Sequence, residues 1–274
     1  MYRDTLSLKI DPARCSACGL CVRECVNDVL AMDPASRRPA VKPGGEDRCI
    51  HCAHCLMACP SGAFSLDGID PDKCPAPGKT LPDFDSLLAL VRNRRSIRHW
   101  QDRDVEEETL SKLLDALRYS PTGVNYQNLL FSVIGKKEKM DRIREEFYRD
   151  FFARCSDPQE VENWKRAREQ QNRDIMFRDA PHLIIAAYSD QAPCGSADCV
   201  IALSYFEMLA NALGIGTVWF GRLGIVTGKY MPGLPAKLGI PEGYRLGYAM
   251  LFGYPSAKFH RTIRRDMPRI VSPD

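Results

Sequence analysis

The sequence predicts an α+β chain of two domains. A small duplicated cysteine-rich domain spans residues 1–75, and a larger α/β domain spans residues 76–274, its central mixed sheet flanked by helices. Three observations predict this. Most of the twelve cysteines crowd into two runs within the first 60 residues. A stretch rich in proline and glycine, "GIDPDKCPAPGKTLPDFD" at residues 68–85, then interrupts regular structure. Beyond it, segments of helical and strand periodicity mix.

The first domain is a repeat. Shifted by 34 positions, Cys15, Cys18, Cys21 and Cys25 fall on Cys49, Cys52, Cys55 and Cys59. Leu30 falls on Phe64, Met32 on Leu66 and Asp33 on Asp67. A duplication of this size predicts a pseudo-two-fold unit. "LSLKID", "VLAMD" and "AFSLD" read as short strands, and each cysteine run as a loop followed by a short helix.

Twelve cysteines in a long chain whose first residues, "MYRDTLSLKID", carry no secretory pattern argue for metal binding in a reducing compartment, and so for a cytoplasmic protein. Zinc prefers two CxxC pairs held apart by a spacer. Here the pairs fuse into CxxCxxCxxxC, twice. Three thiolates so spaced wrap three corners of a cube, and in a two-cluster domain the fourth completes the other cube. Cys15, Cys18, Cys21 and Cys59 then hold one cluster, and Cys49, Cys52, Cys55 and Cys25 the other. His51 and His54 read as spacers. Cys74, Cys155, Cys194 and Cys199 read as ordinary thiols. Residues 5 to 70 resemble bacterial two-[4Fe-4S] ferredoxins, with Cys59-Pro60 as in that family and Val26 in place of the matching proline.

In the second domain, residues 85–97, 105–120, 136–152, 158–178 and 197–213 read as helices. Residues 129–135, 182–189, 216–221 and 246–254 read as strands. The helix over 197–213 is apolar on nearly every side, which predicts a central or interfacial position. "GIGTVWFG" follows a helix and enters a strand, the wrong order for a dinucleotide fingerprint, and there is no Walker A loop. Neither a Rossmann site nor ATP chemistry is expected.

Two arginine clusters stand out. "RNRRSIRHW" brings Arg92, Arg94, Arg95 and Arg98 together with Ser96 at the end of the first helix. "HRTIRR" brings Arg261, Arg264 and Arg265. Guanidinium forks and a hydroxyl suit a phosphate monoester. A solvated basic helix end is the plainer alternative. With "SPTGVNYQNLLF", "LGIGTVWFG" and "GYP" in this order, residues 86 to 270 resemble the nitroreductase family of FMN-dependent oxidoreductases.

The resemblance implies a homodimer with FMN at its interface. It implies that Arg94, Arg95, Ser96 and Arg98 hold the phosphate and ribityl chain, with Arg264 or Arg265 closing the pocket. Asn125 and Gln127 would reach the flavin of the partner subunit, and Phe220 and Gly221 would lie by the reactive ring, a backbone N–H facing N5. The chain departs from the family at Asn128-Leu129, where Pro-Trp is frequent, and at Phe220, where Glu is frequent. No general base stands in the ring-proximal motif.

The expected function is an iron–sulfur flavoprotein reductase. Electrons would enter from a reduced ferredoxin-type donor or NAD(P)H and reach an electron-poor small molecule, such as a nitroaromatic, a quinone or an activated alkene. A non-catalytic electron-transfer flavoprotein serving a protein acceptor is the alternative. A net charge of +3 is too small to call for nucleic acid or a membrane, and neither is expected.

Overall fold

The computed structural model describes residues 6–78 and 81–273. Residues 1–5 of the N-terminal stretch and residues 79 and 80 of the proline-rich stretch lie outside them. Two compact units emerge: Met1–Leu81 with Pro121–Asn128 and Ala192–Cys194, and Pro82–Ser120 with Leu129–Gln191 and Gly195–Asp274. Two short segments of the later chain thus group with the cysteine-rich unit.

That unit contains β1 (Leu8–Ile10), α1 (Leu20–Arg23), β2 (Leu30–Met32), β3 (Pro39–Val41), α2 (His54–Met57) and β4 (Phe64–Leu66). β1 pairs antiparallel with β4, and β2 with β3. β3 was not expected from the sequence, because three residues beginning with proline carry no alternation. The 34-residue repeat extends to the backbone. Left-handed Ala17, Gly19 and Asp28 recur as His51, Ala53 and Gly62. The N–H of Val29 donates to Cys25 Sγ (3.3 Å), and that of Ala63 to Cys59 Sγ (3.2 Å). The buried core is small, built around Leu30, Leu56, Phe64 and Leu66.

The second unit contains α3 (Phe84–Asn93), α4 (Glu107–Ala116), β5 (Leu129–Ile134), α5 (Lys137–Arg154), α6 (Pro158–Gln171), β6 (His182–Ser189), α7 (Gly195–Ala212), β7 (Gly216–Trp219), α8 (Gly221–Lys229), α9 (Leu234–Lys237) and β8 (Tyr244–Gly253). The sheet order is β5-β6-β8-β7. These strands pair antiparallel, and among the described residues the one parallel element is a bridge between Ser96 and Thr217 at the β7 edge. Alternation along β6 sends Leu183, Ile185 and Ala187 to one face, against α5, α6 and α8. Ile184 and Ala186 face the other way, against α4 and α7. Burial on both faces is why this strand reads as a continuous apolar run.

Three elements differ from the sequence reading. The first helix starts at an Asp83 cap, which accepts from the Ser86 N–H (2.8 Å), and ends at Asn93 rather than near Ile97. Arg94 turns extended, and Ile97 N donates to Thr217 O (2.9 Å), so the arginine run lies along a sheet edge. Gly216 allows this approach, since a Cβ there would stand 2.3 Å from Ile97. The helix over 158–178 stops at Gln171, where Asn172 turns left-handed (φ 48°). α8 was missed because Gly224 and Gly228 weaken its propensity. Burial of Leu223 and Val226 on one face stabilises it instead.

Candidate functional site

In the first unit the clustered thiols sort into two cavities. Cys15, Cys18, Cys21 and Cys59 rim one, and Cys25, Cys49, Cys52 and Cys55 rim the other. Each run therefore lends its fourth cysteine to the set formed by the other. Among the described residues no three His, Cys, Asp or Glu side chains converge on a single ion position. Four thiols around each cavity are the donor set that a four-iron cube takes. Burial pushes the Cys55 thiol up to about 11 and raises Cys21 and Cys49 as well. Burial acts the same way on Cys59, but hydrogen bonds from Ser61, Ala63 and Phe64 outweigh it and leave that thiol below its ordinary value. Ligation by the raised thiols would release protons. His51 does not face a cavity as a ligand: its Nδ1 lies 2.7 Å from Asp67 Oδ2, and Asp67 also accepts from the Ser7 N–H. Cys74, Cys155, Cys194 and Cys199 are all free thiols.

The segment Pro121–Asn128 belongs to this unit. Val124, Asn125 and Gln127 all take positive φ, and for the β-branched Val124 (φ 48°) that is strained. The Asn125 amide donates to the carbonyls of Ile50 (3.0 Å) and His51 (3.1 Å), inside the second cysteine loop. Asn125 Oδ1 accepts from Gln127 Nε2 (3.3 Å). Both residues were expected at a partner's flavin. Here the Asn125 amide is committed to the cysteine loop.

In the second unit a cleft of about 380 Å³ runs along the β7 edge. Arg92, Arg94 and Arg95 line it from one side, and Lys258, His260 and Arg261 from the other. Arg264 and Arg265, expected to close this pocket, do not line it. Neither do Ser96 and Arg98: the Ser96 backbone bridges Thr217 at the β7 edge, and Arg98 Nη1 donates to Ser96 O (3.4 Å). Among the described residues Arg92, Arg95, Lys258 and Arg261 have no carboxylate within ion-pair distance. Arg94 pairs with buried Glu207 (3.2 Å). Glu207 also accepts from Thr217 Oγ1 (3.0 Å) and Trp219 Nε1 (3.2 Å). Buried Glu207 on the apolar α7 thus fixes a guanidinium on one side of β7 and an indole at its end. Its isolation in "SYFEMLA" was the signal available in the sequence. The surplus of cationic forks suits a phosphate monoester.

β7 runs into α8 at Phe220 and Gly221. The Phe220 N–H is taken by Ala249 O on the neighbouring strand (2.8 Å), whereas the Gly221 N–H, at the first position of α8, has no intrahelical acceptor. A Cβ on Gly221 would sit 2.8 Å from the Tyr248 hydroxyl. A second cavity, of about 530 Å³, opens beside this turn.

Comparison with known proteins finds a dicluster iron–sulfur domain ahead of a nitroreductase domain in this chain. The nitroreductase family model matches residues 91–254, and a 4Fe-4S dicluster domain matches residues 14–63. A protein of Methanothermobacter thermautotrophicus, provisionally named NADH dehydrogenase/NAD(P)H nitroreductase, is 28% identical over 180 residues, 62% of this chain and 78% of its own. Among solved structures, a nitroreductase with bound FMN from Bacteroides fragilis superposes with a TM-score of 0.54 at 22% identity, covering 68% of this chain and 98% of its own. A nitroreductase-like protein of Bacillus cereus superposes at 0.52 and 19% identity, over 70% and 99%.

Proposed function

The chain belongs to the nitroreductase family, and we propose that it is a reductase that moves electrons from two [4Fe-4S] clusters to FMN and on to an electron-poor small molecule such as a nitroaromatic, a quinone or an activated alkene. One observation carries this reading. A single chain rims two cavities with four thiols each and, in its nitroreductase-fold unit, sets unpaired arginines along a cleft at the sheet edge.

In this reading a domain of residues 1–75 holds the clusters and one of residues 76–274 holds the flavin. Cys15, Cys18, Cys21 and Cys59 ligate one cluster, and Cys49, Cys52, Cys55 and Cys25 the other. The N–H groups of Val29 and Ala63 donate to the crossing sulfurs, which favours the reduced state. Arg94 and Arg95, with Arg92, Lys258 and Arg261, grip the FMN phosphate, and the Gly221 N–H, at the turn from β7 into α8, faces the ring. Glu207 keeps Arg94 in place and offsets part of the cleft's charge. Bound there, FMN supplies hydride and single-electron chemistry. The electron donor is a reduced ferredoxin-type protein or NAD(P)H, the latter supported by the name of the archaeal relative. A homodimer is supported by an exposed apolar stripe on α7, formed by Val200, Ile201, Tyr205 and Leu209. No helix among the described residues is long and apolar enough to cross a membrane.

The test is an anaerobic preparation counted for iron, sulfide and FMN per chain. It is followed by photoreduction and addition of a nitroaromatic or a quinone. Eight irons, one FMN and saturable reoxidation of the flavin band are expected of two four-iron clusters and one flavin. Zinc in place of iron, or a flavin reoxidised only by a protein acceptor, would sink the reading.

A further inference from the structure

The cavity beside Phe220–Gly221 carries its own charge pattern. Its walls include Trp164, Phe220 and Tyr230, and its rim includes Arg178, Arg222 and Lys229, with Glu160 the acid among its lining residues. Lys229 is already engaged: its Nζ lies 2.6 Å from the Tyr230 hydroxyl and 3.8 Å from Asp157. Arg178 and Arg222 have no carboxylate within ion-pair distance among the described residues. Arg222 instead lies over the Trp164 ring, 5.7 Å from its centroid. Partial desolvation, and then the proximity of Arg222 and Arg98, holds the Arg178 guanidinium below its usual range. An anion between the two would relieve that repulsion.

Arg178 is also presented by a built corner. Arg178 and Asp179 both take left-handed backbone (φ 55° and 54°). Beneath them, buried Asp174 accepts from the N–H groups of Phe177 (2.9 Å) and Asp179 (3.0 Å), from the Tyr148 hydroxyl (2.6 Å) and from Arg144 Nε (2.8 Å). The Arg178 carbonyl is held by Trp100 Nε1 (3.0 Å). Strained backbone persists only where its surroundings over-determine it, and it concentrates at ligand clamps. A buried acid with four donors, dedicated to a corner whose tip is an unpaired arginine, fits that pattern. The N-terminus of α8 adds partial positive charge at the same cavity.

We propose that this cavity is the acceptor subsite and that it selects planar acceptors bearing a carboxylate, with Arg178 and Arg222 clamping the carboxylate while Trp164 and Phe220 flank the ring. This rests on the reading of the chain as an FMN-dependent reductase. Its volume lies within the range of about 300–1,000 Å³ usual for small-molecule sites. A bidentate guanidinium–carboxylate pair supplies the orientation.

The experiment uses the full chain loaded with FMN. Benzoate and benzamide, which are not reduced, are titrated while tryptophan fluorescence and the flavin band are followed. Trp164 and Trp219 both line the cavity and report directly. Benzoate is expected to bind at least tenfold more tightly than benzamide. Arg222→Gln and Arg178→Lys should each erase most of that preference, leaving benzamide binding and FMN content unchanged. The same ratio should appear in kcat/KM for 4-nitrobenzoate against 4-nitrobenzamide. Equal binding of the two ring compounds overturns the carboxylate assignment. So does loss of FMN in either variant, which would give the guanidiniums to the cofactor. A chain that binds benzoate selectively but reduces neither nitro compound leaves the subsite standing and removes the reductase reading.

Discussion

The cysteine-rich unit and the sheet unit hold their cofactor sites in opposite ways. The first has strands of three residues, helices of four and a core of a few side chains packed against its own thiols. The second packs apolar residues on both faces of a four-stranded sheet, and its cationic cleft lies at the edge of that finished core. In the first, the site is the core. In the second, it is an addition to one. A small domain that cannot bury enough apolar surface needs a metal or cross-link to fold. A sheet covered on both faces does not.

The largest test of that contrast is removal of iron. Structural metal sites contribute on the order of 10 kcal/mol or more to small domains. Chelation under reducing conditions should therefore unfold residues 6–78 and leave the sheet unit intact, read as protease cleavage confined to the N-terminal unit. Simultaneous collapse of both would break the contrast.

Phe151→Ala attacks the other side. Phe151 is fully buried and stacks on Trp164 with centroids 4.4 Å apart. Its loss should cost about 3–5 kcal/mol, lowering the melting temperature of the sheet unit without changing the iron content.

Arg94→Gln sits between the two cases. It leaves Glu207 buried with Thr217 and Trp219 as its remaining partners, at a cost of about 1–3 kcal/mol. FMN affinity should fall at least tenfold, measured by equilibrium dialysis, while the cluster absorbance stays. Unchanged flavin retention would remove Arg94 from the phosphate grip.

The smallest effect is a pH response confined to the sheet unit. His182 is fully buried on β6, and its Nε2 accepts from the Val105 N–H (2.9 Å). Burial holds its pKa below the ordinary value, against an opposing pull from Asp104. The folded state thus resists protonation while the unfolded chain takes a proton near pH 6.5. The stabilisation is complete above that pH and falls as pH drops below it, by up to about 1.4 kcal/mol per unit. Denaturant midpoints at pH 7.5 and 5.0 should show a steeper acid loss in the parent than in His182→Gln.

The spacing of thiols along the chain determined which cysteines of the first unit share a cavity, but not β3 or the inclusion of Pro121–Asn128. Thiol position there is set by local sequence, and a duplication repeats the loop, the left-handed residues and the helix together. That Cys25 and Cys59 each rim the cavity of the other run was expected from the same spacing. Long apolar runs such as residues 182–189 also announced themselves, because burial on both faces leaves no other composition. The tertiary structure alone decided which cations meet. Lys258 and Arg261, not Arg264 and Arg265, face Arg94 and Arg95, and Arg178 comes to Arg222. These groups are far apart in sequence, and their meeting depends on where the chain crosses the β7 edge and how the corner after α6 is propped by Asp174. Nothing local to an arginine encodes that, since its charge is the same whether it faces water, a phosphate or another arginine.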